Sequence, residues 1–402
     1  MFLTLDSTAR KNILCAVISL FSLLLLNIPA LYGEGEEEII FCATEWDGEY
    51  YSLNVRGGMG GVESVKTTNS IFTMNIDGTG LKKIIENGSS PVYSPDGRWI
   101  FFQASEDGTM YKIFRCRPDG SGIENLTGKT EPGTSAFGYN LSRDGRKIVY
   151  TDYMNMTSRV AVMNSDGTDA LVLAPFLGFH YMASLSPDNT FIAFSHTERC
   201  YRLMLFDLEA RTLRDLTPEG HPESFAPQFT PDGRTIVFFC NGFTMRPLKP
   251  GERYTFDERE QIFRAASRDP DGDIYRIDTD GGNLQRLTIG NKYIRFYLSE
   301  KDEHGSTDGP ALSPDGKKIA FTARVNNIPQ IFVMDITGES RRQITFRDAP
   351  SGRASWSPDG AQLTFVARIG GYSQLFIVDV QGGEPKQLTN IKGAVSSVRW
   401  KP

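Results

Sequence analysis

One short pattern recurs along this chain and constrains its fold more than any other feature. The stretch SPDGRWIFF begins at Ser94, and its copies are SRDGRKIVY at Ser142, SPDNTFIAF at Ser186, TPDGRTIVF at Thr230, SPDGKKIAF at Ser313 and SPDGAQLTF at Ser357. The first residues of successive copies are 48, 44, 44, 83 and 44 residues apart. A period of this length is typical of a supersecondary unit that needs its neighbours to bury its faces.

The residues of the motif are those of a tight turn. Proline presets φ at the second turn position, and glycine accepts the positive φ that closes a hairpin. A catalytic or ligand-binding loop does not need six copies. We therefore interpret the motif as part of the scaffold.

Each repeat contains four short strand patterns. The copy that spans 353–389 divides into RASWSPDG, AQLTFVAR, SQLFIVDVQGG and EPKQLTN, and turn residues separate these segments. Apolar residues occupy both alternating phases of the strands, as in sheets that are packed on both faces. Repeating four-stranded units of about 40 to 45 residues predict a β-propeller.

The two ends of the chain complete one another. The final segment SVRWKP matches ASWSP, with Trp400 in register with Trp356, and supplies only the first strand of a blade. The missing strands are EIIFCAT from Glu38, SIFTMNID from Ser70 and LKKII from Leu81. We therefore predict an all-β, seven-bladed β-propeller of four-stranded antiparallel blades, in which the C-terminal strand joins the N-terminal blade and closes the ring.

Several elements of the repeat resemble those of TolB-like propellers. Besides the SPDG turn, these are the IFVMD type of third strand, a DGG type of second turn and a Leu-Thr or Ile-Thr pair at Leu126, Leu216, Leu287, Ile344 and Leu388. The resemblance covers 38–402 and implies the propeller fold, which hosts many functions. TolB itself has an α/β domain before a six-bladed propeller. We expect neither feature here, so the resemblance does not imply a role in the Tol-Pal system.

The first 33 residues differ in kind from the rest. Arg10 and Lys11 precede an apolar run of about 20 residues, and small residues near Ala30 and Gly33 suit a cleavage site. Two interpretations remain open, a cleaved signal peptide and an N-terminal membrane anchor. Both predict an exported propeller domain at 34–402, in the periplasm or outside the cell, or anchored to the inner membrane.

Charge and cysteine content narrow the function classes. The 402-residue chain has a net charge of −6 and no basic block, which excludes nucleic acid as the expected partner. Outside the leader, the cysteines are Cys42, Cys116, Cys200 and Cys240. Their spacing forms no metal-binding pair, and we predict small buried side chains rather than ligands, with their disulfide status open.

The repeat also predicts where a functional site lies. Tight turns between strands one and two, and between strands three and four, share one end of the blades, which we call the turn end. The opposite end, the insertion end, receives the long segments from Asp47 to Asn69, from Asn241 to Asp271 and from Gly290 to Ser306. Loops that are elaborated on a rigid scaffold often carry function. We therefore place the binding face at the insertion end.

The candidate binding residues are predicted to lie at this end. They are the histidines of the blade connections, the histidine that ends a second strand, and arginines nearby: His180, His221, His304, His196, Arg202, Arg246, Arg253 and Arg295. The sequence contains no close-spaced histidine pair, and we predict no cofactor. A resemblance to oligogalacturonate-lyase-like propellers, which hold a metal through histidines, would make His180, His221 and His304 the metal candidates. The inserted segment from Thr255 to Ala266 has capping-box spacing and predicts a short helix.

No catalytic signature accompanies the scaffold. The segment GTSAF at Gly133 lacks the last glycine of a nucleophile elbow. Our leading hypothesis is an exported, non-enzymatic TolB-like propeller of the bacterial cell envelope that binds a protein or glycan at the insertion end. The alternative hypothesis is a metal-dependent lyase or hydrolase of acidic polysaccharide.

Overall fold

A computed structural model describes residues 37–45, 68–105, 110–128, 134–154, 157–173, 179–197, 201–217, 223–241, 271–288, 293–294, 310–326 and 328–402. Residues Glu38–Pro402 belong to one compact unit. The described residues form strands and no helix, and hence none of them belongs to a helix able to cross a membrane. The N-terminal 33 residues and the predicted helix at Thr255 to Ala266 lie outside these ranges.

The strands follow one another at the intervals that the repeat predicts. In chain order they are β1 Glu38–Glu45, β2 Thr68–Asn75, β3 Lys82–Glu86, β4 Gly88–Tyr93, β5 Ile100–Ser105, β6 Tyr111–Cys116, β7 Glu124–Asn125, β8 Ser135–Leu141, β9 Lys147–Met154, β10 Thr157–Asn164, β11 Leu171–Val172, β12 Phe179–Leu185, β13 Phe191–Thr197, β14 Tyr201–Asp207, β15 Thr212–Asp215, β16 Glu223–Phe229, β17 Thr235–Asn241, β18 Asp271–Asp278, β19 Gln285–Arg286, β20 Tyr293–Ile294, β21 Ala311–Leu312, β22 Lys318–Val325, β23 Ile328–Asp335, β24 Arg342–Gln343, β25 Ser351–Trp356, β26 Gln362–Ile369, β27 Tyr372–Asp379, β28 Lys386–Gln387 and β29 Gly393–Trp400.

The strands assemble into the four-stranded antiparallel blades of a propeller. Strands β4–β7, β8–β11 and β12–β15 form three separate four-stranded sheets. The other strands form a sheet of eight and a sheet of nine strands. The predicted all-β propeller of four-stranded blades is thus confirmed, whereas the described residues form five hydrogen-bonded sheets and not seven.

Bridges between neighbouring four-stranded runs explain the lower number of sheets. In the eight-stranded sheet, the runs β25–β28 and β29–β1–β2–β3 meet through one parallel pair, Ser373 with Ala394. In the nine-stranded sheet, the short strand β20 pairs with both β18 and β22 and joins the runs β16–β19 and β21–β24. Both junctions lie at the insertion end, where second strands end and third strands begin.

The C-terminal strand pairs with the N-terminal one, as the register of the two tryptophans predicts. Strand β29 runs antiparallel to β1, with Trp400 opposite Ile39. Both indoles bond to the preceding run in the same way: Trp356 Nε1 donates to the carbonyl oxygen of Ala311 at 2.8 Å, and Trp400 Nε1 donates to that of Ser355 at 3.1 Å. The C-terminal segment therefore occupies the place of a first strand.

Hydrogen bonds inside the repeated turn explain its sequence. In all six copies the Ser or Thr hydroxyl donates to the Asp carboxylate at 2.6 Å. The same carboxylate accepts the backbone N–H two residues later, at 2.9 to 3.1 Å. The motif is thus confirmed as scaffold, since its acidic side chain is satisfied within the turn.

The turns of consecutive blades also contact one another. A Cβ added to Gly145 would lie 2.7 Å from Pro95 Cδ, and one added to Gly316 would overlap Pro231 Cδ. Proline of one turn therefore packs where the next turn has glycine. Gly97 belongs to the first copy of the motif, so no earlier copy supplies a proline to contact it. No atom lies within 4 Å of a Cβ added to Gly97.

Two departures from the motif lie on either side of one such contact. Arg143 replaces the proline of its turn, and its Nη2 donates to the carbonyl oxygen of Pro314, a residue of a distant turn, at 3.2 Å. Asn189 replaces the glycine of the following turn and keeps its positive φ of 62°. Its amide donates to Asp144 at 2.9 Å. A hydrogen bond therefore takes the place of the proline–glycine contact.

Buried apolar residues of both strand phases form the core between blades. Fully buried aromatic side chains recur in the second strands, at Phe41, Phe102, Tyr150, Phe194, Phe238, Phe321 and Phe365. Cys42, Cys116 and Cys240 are buried, as we predict from the repeat, and none of the three forms a disulfide with another described cysteine. Burial raises the pKa of Cys42 to about 11. Cys200 lies outside the described residues.

Substitution of two equivalent glycines would test the turn contacts. Gly97 and Gly316 have almost the same φ, 67° and 71°, but only Gly316 packs against a proline. We expect Gly97→Ala to lower the free energy of unfolding by about 1 kcal/mol through the left-handed backbone alone. Gly316→Ala should lower it by a further amount of about 1 to 3 kcal/mol, because the methyl group overlaps Pro231.

Urea unfolding of the two variants would measure the difference. Equal losses would contradict the packing of consecutive turns, because the backbone strain is matched in the two variants.

Candidate functional site

One cross-strand pair distinguishes the blades at the insertion end. The same first-strand and second-strand positions face each other in six described blades, where they hold Gly88 with Ala104, Ala136 with Asp152, His180 with His196, Ser224 with Cys240, Ser351 with Ala367, and Val395 with Ala43. Four of the pairs consist of small or aliphatic side chains. The two neighbouring blades β8–β11 and β12–β15 carry the larger polar side chains.

His180 is fixed by the blade that precedes it. Its side chain is only 2% exposed, and its backbone N–H donates to Ser158 Oγ at 2.6 Å. The ring nitrogen Nδ1 lies 2.5 Å from the carbonyl oxygen of Ser158. A carbonyl oxygen only accepts hydrogen bonds, so Nδ1 carries the proton. The Nε2 atom of the neutral ring is therefore an acceptor.

A hydrogen bond to His180 orients the ring of His196. The distance from His196 Nδ1 to His180 Nε2 is 3.0 Å, and the ring centroids are 4.6 Å apart. Burial lowers the pKa of His180 to about 4; the Ser158 hydrogen bond opposes this shift, and the charge of His196 adds to it. His180 is therefore neutral at neutral pH and accepts the Nδ1 proton of His196. In neutral His196, Nε2 is then the acceptor atom.

The polar residues continue across the blade. Arg202 of β14 lies opposite His196 in the register, and its guanidinium forms an ion pair with Asp215 at the end of β15. We call these four residues, His180, His196, Arg202 and Asp215, the polar row. It runs from the buried first strand to the outer fourth strand, and Arg202 is exposed.

A second polar pair lies in the preceding blade. Asp152 is 3% exposed and forms an ion pair with Arg159, its partner on β10. The adjacent Ser158 is the residue that binds the backbone and ring of His180. The ion pair and the polar row therefore belong to consecutive blades and are joined through the Ser158 contacts.

The structure corrects one predicted placement. His180 lies within strand β12 and not in a connection between blades, because its backbone pairs with that of His196 on β13. The sequence search for close-spaced histidines missed the pair, since antiparallel pairing joins residues that are 16 positions apart. An alignment of the repeats would have found the pair, because it places His180 and His196 at the first-strand and second-strand positions that face each other in the other blades.

The other site predictions are tested only in part. His196 ends its second strand as predicted, and Arg202 lies on the adjacent third strand. His221, His304, Arg246, Arg253 and Arg295 lie outside the described residues. Within the described part of the chain, no three His, Cys, Asp or Glu side chains are placed to hold a metal ion together.

Comparison with known proteins gives a family match over most of the chain. A family model described as the TolB beta propeller domain matches residues 62–221 and 296–402. The chain is 34% identical over 123 residues to an uncharacterized protein of Agrobacterium fabrum, covering 27% of this chain and 39% of that protein. It is 30% identical over 294 residues to dipeptidyl-peptidase 5 of Porphyromonas gingivalis, covering 70% of this chain and 38% of that protein. The chain thus spans about two fifths of the length of these relatives.

Among solved structures, the fold is similar to that of an oligogalacturonate lyase in complex with manganese. The TM-score is 0.56 at 13% sequence identity, and the match covers 77% of this chain and 84% of the lyase. At this identity the likeness concerns the fold alone.

The buried His180 gives the folded protein a defined response to acid. Its pKa of about 4 lies below the unfolded value of about 6.5. Between these values the unfolded chain binds a proton that the folded chain excludes, so the stabilisation is present above about pH 6.5 and is lost as the pH falls towards 4. From pH 7 to pH 4, wild-type unfolding free energy should fall by about 2 to 3 kcal/mol more than that of His180→Gln.

Denaturant unfolding at several pH values would check this expectation. Parallel pH dependences of the wild-type chain and the variant would show that His180 is not held neutral.

Proposed function

Since the chain belongs to the TolB β-propeller domain family, we propose that it is a non-enzymatic binding module of the bacterial cell envelope. Its partner is a protein or a glycan, which binds at the insertion end. Export through the segment at 1–33 belongs to the same proposal, and it rests on the charged, apolar and small residues of that segment.

The proposed architecture is a ring of seven blades. Three four-stranded sheets stand alone, and each of the two larger sheets contains two four-stranded runs. The pairing of β29 with β1 supports closure of the ring by the C-terminal strand. A closed ring supplies a rigid support on which loops and strand ends at one end of the blades are held in fixed positions.

The observation that carries the binding proposal is the departure of two neighbouring blades from the repeat. Four of the six equivalent pairs that the structure describes show that Gly, Ala, Ser, Cys or Val suffices for the scaffold. Burial of Asp152 and His180 at these positions costs free energy unless hydrogen bonds and ion pairs offset it. Folding alone does not require these residues. Their common location at one end favours a role in recognition.

The chemistry of this end suits a polar partner. The polar row contains the exposed Arg202, which is paired with Asp215 at the outer end of the row, and His196 is held in a fixed orientation by a buried neighbour. A guanidinium donates several hydrogen bonds in a fixed geometry, and neutral imidazole offers both a donor and an acceptor. Carboxylates, backbone carbonyls and sugar hydroxyls are complementary to this set of groups.

A binding experiment with a matched control tests the proposal. The site variant of the full-length chain is His196→Ala with Arg202→Ala, and the control is Arg98→Ala with Arg146→Ala, two exposed arginines of the turn end. We expect partners captured from a solubilised envelope fraction, or glycans on an array, to bind the wild-type chain and the control equally. Binding to the site variant should fall at least about tenfold, as for the loss of a central contact.

Quantitative mass spectrometry and array intensities would supply the readouts and separate a protein partner from a glycan. Binding that is unchanged in the site variant, or that falls equally in the control, would contradict a partner site at the insertion end.

The alternative function is a metal-dependent lyase or hydrolase of acidic polysaccharide. One observation favours it, namely the adjacency of the imidazole rings of His180 and His196, since imidazole is a common metal ligand. Metal analysis of the purified full-length chain and of a His180→Ala, His196→Ala variant separates the two functions. A stoichiometric metal in the wild-type chain that is lost in the variant would favour the enzyme, and a metal-free folded chain would favour the binding module.

A further inference from the structure

The first strands share a bulge that directs side chains away from the blade. Six of them contain, at the same point, a residue with positive φ between 48° and 59°. These residues are Ser90, Gly138, Met182, Ala226, Arg353 and Ser397. A bulge bends a strand and re-aims the side chain at that point. The residues on either side of the bulge are mostly buried, whereas those at the bulge are half-buried or exposed.

The seven first strands contact one another in succession. Side chains of one first strand bond to the backbone of the next: the Tyr139 hydroxyl donates to Ser90 O at 2.7 Å, and the Asn140 amide donates to Ala183 O at 2.8 Å. The Trp356 and Trp400 indoles make equivalent bonds. Strands β12 and β16, and β29 and β4, are also in contact. The first strands therefore surround a common space, which we call the channel.

The wall of the channel carries an unusual charge distribution. At the bulge and two positions after it, most residues of the first strands are neutral or small, such as Ser90, Ala226 and Ser355. Arg353 and Arg399 are the charged residues at these positions in the described part of the chain. They lie on neighbouring first strands, β25 and β29, so the charged side chains at these positions are both cationic although the whole chain has a net charge of −6.

Neither arginine has a carboxylate partner among the described residues. The Nε atom of half-buried Arg353 is buried without a hydrogen-bond partner. Arg399 Nη1 donates to the carbonyl oxygen of its own neighbour Val398 at 2.8 Å. Arg399 is exposed to solvent, and yet the protein that surrounds it lowers its pKa, with Tyr139 opposing the shift.

The turn end of the channel is narrowed by the contacts between turns. The side chain of Arg143 extends from its own turn and bonds to the backbone of Pro314. Two turns that are not consecutive in the chain are therefore separated by no more than the length of one arginine side chain. An arginine in the channel is thus partly surrounded by protein without being neutralised. An unpaired cation in such surroundings is unfavourable, and an anion that binds there relieves the cost.

We propose that Arg353 and Arg399 form an anion site in the channel, which binds an oxyanion group, either carboxylate or phosphate. The planar guanidinium presents parallel N–H donors that match both groups. Neutral wall residues leave the two cations free of competing acids among the described positions. This site is distinct from the polar row, and it stands whether or not the polar row binds a partner.

Thermal unfolding of the full-length chain tests the site with inorganic phosphate and with citrate as probes. Ionic strength is matched with sodium chloride. We expect millimolar phosphate or citrate to raise the unfolding midpoint by about 2 °C or more, because a ligand that binds only the folded state stabilises it. The probe that acts at the lower concentration identifies the preferred oxyanion. The variants Arg353→Gln and Arg399→Gln should weaken binding at least about tenfold.

A surface arginine and the unliganded variants provide the controls. Arg98→Gln removes an exposed cation of the turn end and should keep the full response. Without a probe, Arg399→Gln should unfold at the same or a higher temperature than the wild-type chain, since it removes an uncompensated charge. A lower unliganded midpoint would indicate a purely structural arginine and would overturn the proposal, as would a wild-type chain that responds to neither probe.

A measurement on the wild-type chain avoids any dependence on the folding of the variants. Arginine modification by phenylglyoxal, mapped by mass spectrometry, should slow at least about fivefold at Arg353 and Arg399 in the presence of the effective probe. Modification of Arg98 should be unaffected. Equal rates with and without the probe at the two channel arginines would overturn the proposal.

Discussion

The antiparallel pairing of β29 with β1 is the contact on which the rest of the fold depends. Trp400 lies opposite Ile39, so the last strand of the chain occupies the place of a first strand next to the first three strands. Without this pairing, β1 would present an unpaired edge, and the cluster that contains Phe41, Phe72 and Val395 would lose one wall. Each four-stranded run buries its faces only against neighbours. A single missing strand would therefore expose apolar surface on the runs at both sides.

Comparison of equivalent positions in the blades distinguishes the residues that the propeller fold requires from those that it merely tolerates. Where first and second strands meet at the insertion end, small or aliphatic residues are sufficient in four of the six pairs that the structure describes. His180 fits at such a place because Ser158 of the preceding blade binds both its backbone and its ring. The same contact fixes the tautomer of His180 and, through it, the orientation of His196. Larger polar side chains are thus accommodated in two blades without a change in their strand pairing.

Much of the fold follows from local patterns in the sequence, whereas the polar site does not. Turn residues and strand periodicity give the four-stranded unit, and the match between Trp356 and Trp400 gives the register of the last strand, because these signals act over a few residues. The bridges that merge sheets, such as Ser373 with Ala394, depend on how closely neighbouring runs approach, which no local pattern records. A search for histidines close together in the sequence missed the His180–His196 pair, because the two residues are brought together by the pairing of the two strands of a hairpin. An alignment of the repeats would reveal the pair, since it compares the facing positions of the two strands in all blades.

The packing of the turns has a consequence for how the repeats diverge. The contact joins proline of one copy to glycine of the next, as in Pro187 with Gly233. Arg143 and Asn189, the two departures from the motif, are the two halves of one such contact. Once the proline is absent, the following position no longer has to be glycine for steric reasons, and Asn189 bonds to Asp144 instead. At this junction the two neighbouring copies therefore depart from the motif together, while each retains its own hairpin.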